Sequence, residues 1–196
     1  MLELEVADIS HFDNIYKDML TQFPETELKS YEDFCHLLKN DDYKLILALD
    51  NNEYIGYLIV FFDRILNFIW LDYIAVLKKF HSCGYGGKMV DGLKDIFPEL
   101  KGCFLEVEKP DVTHPDTLRR IKFYEKHGAV LLDVNYLYPN KSGFLPMDLY
   151  FIPYKEQVPV QTEIFDAVKN IFGRLHMNFA HTGKVYDLIV SGTDET

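Results

Sequence analysis

The chain has 196 residues, of which 48% are apolar, enough for a substantial core and too many for a disordered protein. Its formal net charge is −11, and such an acidic balance repels phosphate backbones, which argues against DNA or RNA as the main partner. Three cysteines, Cys35, Cys83 and Cys103, lie far apart with no Cys-x-x-Cys pair, which argues against a disulfide framework and fits a reducing, cytoplasmic compartment.

The predicted elements begin with a strand, because Leu2-Glu3-Leu4-Glu5-Val6 alternates apolar and acidic residues. The opening MLELEVADIS has no basic region and no long apolar run, so no secretory leader is expected. Ser10 and Asp13 have the spacing of a capping box, and Phe12, Ile15, Tyr16 and Met19 follow at helical spacing until Pro24. Ser30 opens a second helix with Asp33 as its partner and Phe34, Leu37 and Leu38 facing inward. Over residues 1–42 there are eleven acids against Lys17, Lys29 and Lys39, a net −8 that suits a cationic ligand.

The period then changes from helix to strand. Tyr43 to Leu49 reads as a strand, Asp50-Asn51-Asn52-Glu53 as a turn, and Tyr54 to Phe62 as the returning strand. Phe68 to Val76 is a third. Asp63, Arg64, Asn67 and Asp72 interrupt the apolar residues of 54–77, so this stretch is two buried strands rather than a membrane span. A helix runs from about Gly86 to Phe97, a strand from Phe104 to Glu108, and a helix from Asp116 to His127 with Gly128 as its cap. Val130 to Tyr138 and Leu149 to Tyr154 read as two last strands. After Pro159, Val160, Ile164, Val168, Ile171, Phe172 and Leu175 form the stripe of an amphipathic helix, packed on its own domain or against a second copy of the chain. The order implies an α/β fold with a largely antiparallel sheet and helices on both faces, with residues 1–154 as the main domain and 155–196 as a helical extension. His176 and His181 are five apart and share no helical face, so no metal is expected.

The segment from Trp70 to Met89 carries the most chemistry. A strand runs into Gly84-x-Gly86-Gly87 and then into a helix. Glycines let the chain turn sharply, and the unpaired N–H groups of a helix start form an anion site. Lys78, Lys79, His81 and Lys88 gather here on an otherwise acidic chain, which suits a phosphate-rich ligand. Gly-x-Gly-x-x-Gly and Gly-Lys-Ser/Thr are both absent, so a dinucleotide fold and a Walker loop are disfavoured.

Tyr73-Ile-Ala-Val76 followed by His81-Ser-Cys-Gly-Tyr-Gly86 resembles motif A of the GNAT acetyltransferases. Phe123-Tyr-Glu-Lys-His-Gly-Ala129 resembles their later helix motif, and Leu105-Glu-Val107 lies between the two, as in that family. His81 departs from the family's Arg or Gln, Thr117 from a frequent Asn, and Arg120 from a common Ala. The resemblance implies a GNAT fold over roughly residues 1–154, with the sheet splayed between the Phe68–Val76 and Phe104–Glu108 strands. It implies acetyl-coenzyme A as co-substrate and direct transfer to an amine. The pantetheine arm would pair with Ile74, Ala75 and Val76, and the pyrophosphate would sit on His81, Ser82, Cys83, Gly84, Tyr85, Gly86, Gly87 and Lys88. Glu106 matches the catalytic glutamate of some members, with Asp72 as its rival and Glu108 a weaker third; Tyr124 matches the tyrosine that protonates the leaving thiolate. A sensor that binds acyl-coenzyme A without turnover is the alternative. The acceptor expected from the charge is a cationic amine, either a small molecule or a peptide.

Overall fold

The computed structural model describes residues 1–192 except 26, 178 and 180. Residue contacts divide the chain into two units, one of residues 1–62 and 69–100 and the other of residues 63–68 and 101–196.

In the first unit the strands are β1 (Leu2–Ala7), β2 (Tyr43–Asp50), β3 (Glu53–Asp63) and β4 (Phe68–Val76), in that order across the sheet. β1 pairs antiparallel with β2 from Leu2↔Asp50 to Ala7↔Leu45, and β2 with β3 from Tyr43↔Phe61 to Asp50↔Glu53. The β2–β3 hairpin closes at Asn51 and Asn52, whose φ angles of 51° and 64° both lie in the left-handed region that asparagine tolerates. The register shifts between Ala48 and Leu49, so that Ile55 bulges out of β3.

Three helices complete this unit: α1 (Phe12–Gln22), α2 (Tyr31–Leu37) and α3 (Tyr85–Ile96). The expected capping box at Ser10 gives way to a different device. Asp8 caps a short turn over Ile9–His11, its carboxylate accepting from the Ser10 N–H at 2.8 Å, and α1 starts after it. Ser30 does cap α2, its Oγ accepting from the Asp33 N–H at 3.1 Å. Phe12, Phe34 and Tyr73 pack as tilted rings at centroid separations of 5.1 and 5.3 Å, which fastens α1 and α2 to β4.

The second unit is built on β8 (Gly143–Pro153). It pairs antiparallel with β5 (Gly102–Glu108) from Gly102↔Pro153 to Glu108↔Met147. β6 (Val130–Leu131) and β7 (Leu137–Asn140) also pair with it, both antiparallel. Val130 to Tyr138 is therefore not one strand. The chain leaves the ladder after Leu131, turns tightly where the Val134 N–H bonds the Leu132 carbonyl at 2.9 Å, and buries Leu132 and Tyr136. β8 begins at Gly143 rather than Leu149, because β7 returns into it through a turn where Asn140 accepts from the Ser142 N–H.

The helices here are α4 (Pro115–Lys126), α5 (Gln161–Leu175) and α6 (Thr182–Ser191). Gly128, with φ 85°, follows α4 as expected of a left-handed helix cap. The α5 stripe is buried from Ile164 to Leu175, whereas Val160 precedes the helix and is exposed. Asp63, which is 8% exposed, accepts from the N–H groups of Ile65 and Leu66 and from the amide of Asn170 on α5. Phe68, Phe104 and Phe151 form the unit's aromatic centre, with centroids 4.9–5.5 Å apart. Among the described residues no helix is long and apolar enough to cross a membrane, and no group of His, Cys, Asp or Glu is placed to hold a metal ion.

Candidate active site

In the first unit, β4 delivers the chain to the glycine turn. Ala75 is buried and its neighbours Ile74 and Val76 are half-buried. β3 approaches closely here: a Cβ on Gly56 would lie 2.2 Å from the Ala75 carbonyl oxygen. The Val76 carbonyl accepts from His81 Nε2 at 2.8 Å and from Gln22 Nε2 at 3.3 Å. His81 thus folds back onto the strand end. A short turn at Lys78–Phe80 follows, then Ser82 and Gly84 with φ of 62° and 77°. Gly84 is the N-cap of α3 and offers no side chain to the helix's first N–H groups. Residues 81–84 are exposed, and Cys83 is a free thiol.

The turn is tied down at its flanks. Tyr85 donates to Asp50 at 2.9 Å, and Asp50 also receives the terminal ammonium of Met1 at 3.0 Å. Those two donors hold the Asp50 carboxyl below its ordinary range. Behind the turn, Gly87, Met89 and Val90 are buried. Lys79 is neutralised by Glu53 at 2.7 Å. Lys78 and Lys88 have no carboxylate within ion-pair distance among the described residues, and both are exposed at the mouth of the helix. The Lys88 ammonium lies 5.1 Å from the Tyr85 ring centroid. An exposed helix start with two cations beside it fits a pyrophosphate.

Asp72 has a different environment. Both its oxygens lie 2.8 Å from Lys29 Nζ, the two side chains being 4% and 9% exposed, and Tyr43 donates a further short hydrogen bond. The Lys29 ammonium also lies 5.0 Å from the Tyr73 ring centroid. This paired carboxylate ties the loop before α2, and β2 through Tyr43, to β4.

In the second unit, β5 presents Glu106 and Glu108 on one face, both half-buried. Tyr136, wholly buried, donates a short hydrogen bond to Glu106 Oε1. Glu108 is paired with Arg120 of α4, so its charge is already answered. Tyr124 of α4 is 8% exposed and makes no hydrogen bond among the described residues. Burial pushes its phenol up to about 12, the Arg120 charge opposing, so the group keeps its proton throughout the neutral range. Thr117, which stands where the family often has an asparagine, donates from Oγ1 to the His114 carbonyl at 2.9 Å and accepts from the Asp111 N–H at 3.0 Å, which orders the loop before α4.

Sequence reasoning missed Tyr136, Lys29 and Tyr43, whose roles depend on contacts 30, 43 and 29 residues away. No local motif could have marked them.

Known proteins resemble this chain in sequence and in fold. The family model described as "Acetyltransferase (GNAT) family" matches residues 12–129. "Putative acetyltransferase YjbC" of Bacillus subtilis (strain 168) is 30% identical over 168 residues, covering 83% of this chain and 81% of that protein. Among solved structures, a "putative acetyltransferase from GNAT family" from Bacteroides thetaiotaomicron superposes with a TM-score of 0.75 at 20% identity, covering 87% of this chain and 96% of that one. A Bacillus subtilis acetyltransferase in complex with CoA superposes with a TM-score of 0.57 at 13% identity, covering 78% and 99% respectively.

Proposed function

The chain belongs to the acetyltransferase (GNAT) family, and from that premise we propose that it transfers an acetyl group from acetyl-coenzyme A to a primary, cationic amine. The observation that carries this reading is the exposed start of α3, with left-handed Gly84 at its cap and Lys78 and Lys88 beside it. The similar fold of a CoA-bound acetyltransferase supports the same assignment. Acetyl-coenzyme A supplies an activated thioester. The amides of residues 81–88 would hold its pyrophosphate, and Ile74, Ala75 and Val76 its pantetheine arm.

The chain's own residues account for the protons. A primary amine is an ammonium at neutral pH and attacks only after losing a proton, so a base is needed. Glu106 serves as that base, and its bond from Tyr136 fixes the carboxylate's orientation. Tyr124 serves as the acid that donates a proton to the leaving sulfur, its buried phenol being protonated at any working pH. The Val76 amide would stabilise negative charge developing on the thioester oxygen. Asp72 and Glu108 are assigned no chemistry, because Lys29 and Arg120 already occupy them.

Acetyl-coenzyme A should raise the melting temperature of the purified protein, as a native-state ligand does. Gly86→Val should remove that shift while leaving the protein folded, and coenzyme release should follow addition of amines to the wild type. A shift without release across an amine panel would favour the sensor; no shift would remove the coenzyme.

A further inference from the structure

Residues 132–136 form an irregular connection between β6 and β7 that is bonded to β8 at both ends. The Leu132 N–H donates to the Leu149 carbonyl at 2.9 Å, and the Met147 N–H donates to the Tyr136 carbonyl at 3.1 Å. Leu149 and Met147 are the β8 partners of Glu106 and Glu108 on β5. β8 thus lies between the connection and β5, and Tyr136 carries its hydroxyl over that strand to Glu106. The bonds that fix its main chain fall on residues that also set the register of β5.

The ring of Tyr136 is backed by α5. Phe172, itself buried, has its ring centroid 6.2 Å from that of Tyr136 at an interplanar angle of 54°. His176, one turn further on, lies 5.7 Å from Phe172 and 5.0 Å from Tyr138, edge-on to both. Aromatic contacts therefore tie α5 to Tyr136 and to β7. The charges near Glu106 have partners of their own. Glu108, on the same face of β5, pairs with Arg120 of α4, and Asp148 of β8 pairs with Lys109. Tyr124 of α4 and His176 of α5 are further titratable groups of this unit, and both are buried.

We propose that Tyr136 holds Glu106 as an oriented carboxylate and that Phe172 holds Tyr136 in place, so that α5 is a working part of the acyl-transfer site. The inference rests on the acyl-transfer reading with Glu106 as base. A donor on a carboxylate favours its ionised form, which is the form that can take a proton from an ammonium. Tyr136 is then a positioning residue, acting through Glu106, and Phe172 acts through Tyr136. The helix after Pro159 does more than cover apolar surface, because a ring it supplies sets how firmly the phenol stays on the acid.

The test is the pH profile of kcat/KM with one amine throughout, so that the amine's own titration cancels between variants. Tyr136→Phe should move the acid limb up by about one pH unit, because the carboxylate has lost a donor that favoured its charge. The melting shift given by acetyl-coenzyme A should stay as in the wild type. Phe172→Leu, which keeps an apolar side chain on α5, should move the limb in the same direction by less. In the Tyr136→Phe background the same Phe172 substitution should move it no further, as expected where one residue acts through the other. A merely structural role would lower the melting temperature and the rate together and leave the limb in place. That result would overturn the proposal, and so would a Phe172 effect of equal size in both backgrounds. Titration of the Glu106 carboxyl carbon by carbon-13 NMR, identified by its loss in Glu106→Gln, needs no turnover. If no amine is acetylated, a higher midpoint in both Tyr136→Phe and Phe172→Leu keeps the link from α5 to Glu106 and discards acyl transfer; an unchanged midpoint discards the link.

Discussion

Two tyrosines and two carboxylates show how one side-chain type takes opposite duties from its surroundings. Asp72 and Glu106 sit on strands and face tyrosine hydroxyls, and Asp72 also meets the Lys29 ammonium. Asp72→Asn should leave Lys29 charged in a buried position and cost about 3 kcal/mol of stability, read as a lower denaturant midpoint at unchanged slope. Coenzyme release per folded molecule should be retained, which a catalytic Asp72 would not allow. Glu106→Gln should instead leave the midpoint nearly unchanged and lower the rate by about 100-fold at neutral pH, with partial recovery at high pH where the amine is already neutral. Tyr124 differs from Tyr136 in having no hydrogen-bond partner among the described residues. With its phenol at about 12 against an ordinary 10, the protonated form is kept below pH 10 and is lost only as pH rises through the folded value. Tyr124→Phe should therefore lower kcat by about 10-fold or more at every pH from 7 to 9, with the affinity for acetyl-coenzyme A unchanged. A kcat equal to that of the wild type would remove Tyr124 from the chemistry.

At the scale of elements, the site depends on where regular pairing stops. β3 and β4 come together so closely that Gly56 has no room for a methyl group beside the Ala75 carbonyl, which is backbone and cannot swing away. Gly56→Ala should push the end of β4 outward, lower stability by about 1–3 kcal/mol and weaken acetyl-coenzyme A binding in the same variant. A variant with full coenzyme affinity would show that the end of β4 is not part of the binding surface. The bulge at Ile55 sets the face of Tyr54, and the break after Leu131 delivers Tyr136 to Glu106. Both are irregularities in strands whose composition reads as regular, because alternation reports which residues are apolar and not where one residue is extra.

At the scale of the molecule, the acids crowd into the first 42 residues, which hold a net −8 of the total −11. Lys29, one of three lysines there, is buried against Asp72 and does little to offset the surface charge. Such a field concentrates cations and decays over about 10 Å at 0.1 M salt. Raising salt from about 0.05 to 0.5 M should lower kcat/KM for a diamine several-fold through KM, with a smaller effect for a monoamine. Equal salt dependence for both would separate the acidic surface from acceptor choice.

The sequence by itself determined the order of the elements from β1 to α4, the glycine turn, and the family through Tyr73–Gly86 and Phe123–Ala129, because these depend on periodicity and on short contiguous spacings. It also nominated Glu106 and Tyr124 with Asp72 as a rival. It could not separate the two carboxylates, since both read as acids in apolar strands. Lys29 is brought to Asp72 across 43 residues of chain, and Tyr136 to Glu106 across 30. Only the tertiary structure shows these partners, because charge pairing and burial belong to neighbours in space that the chain order does not specify.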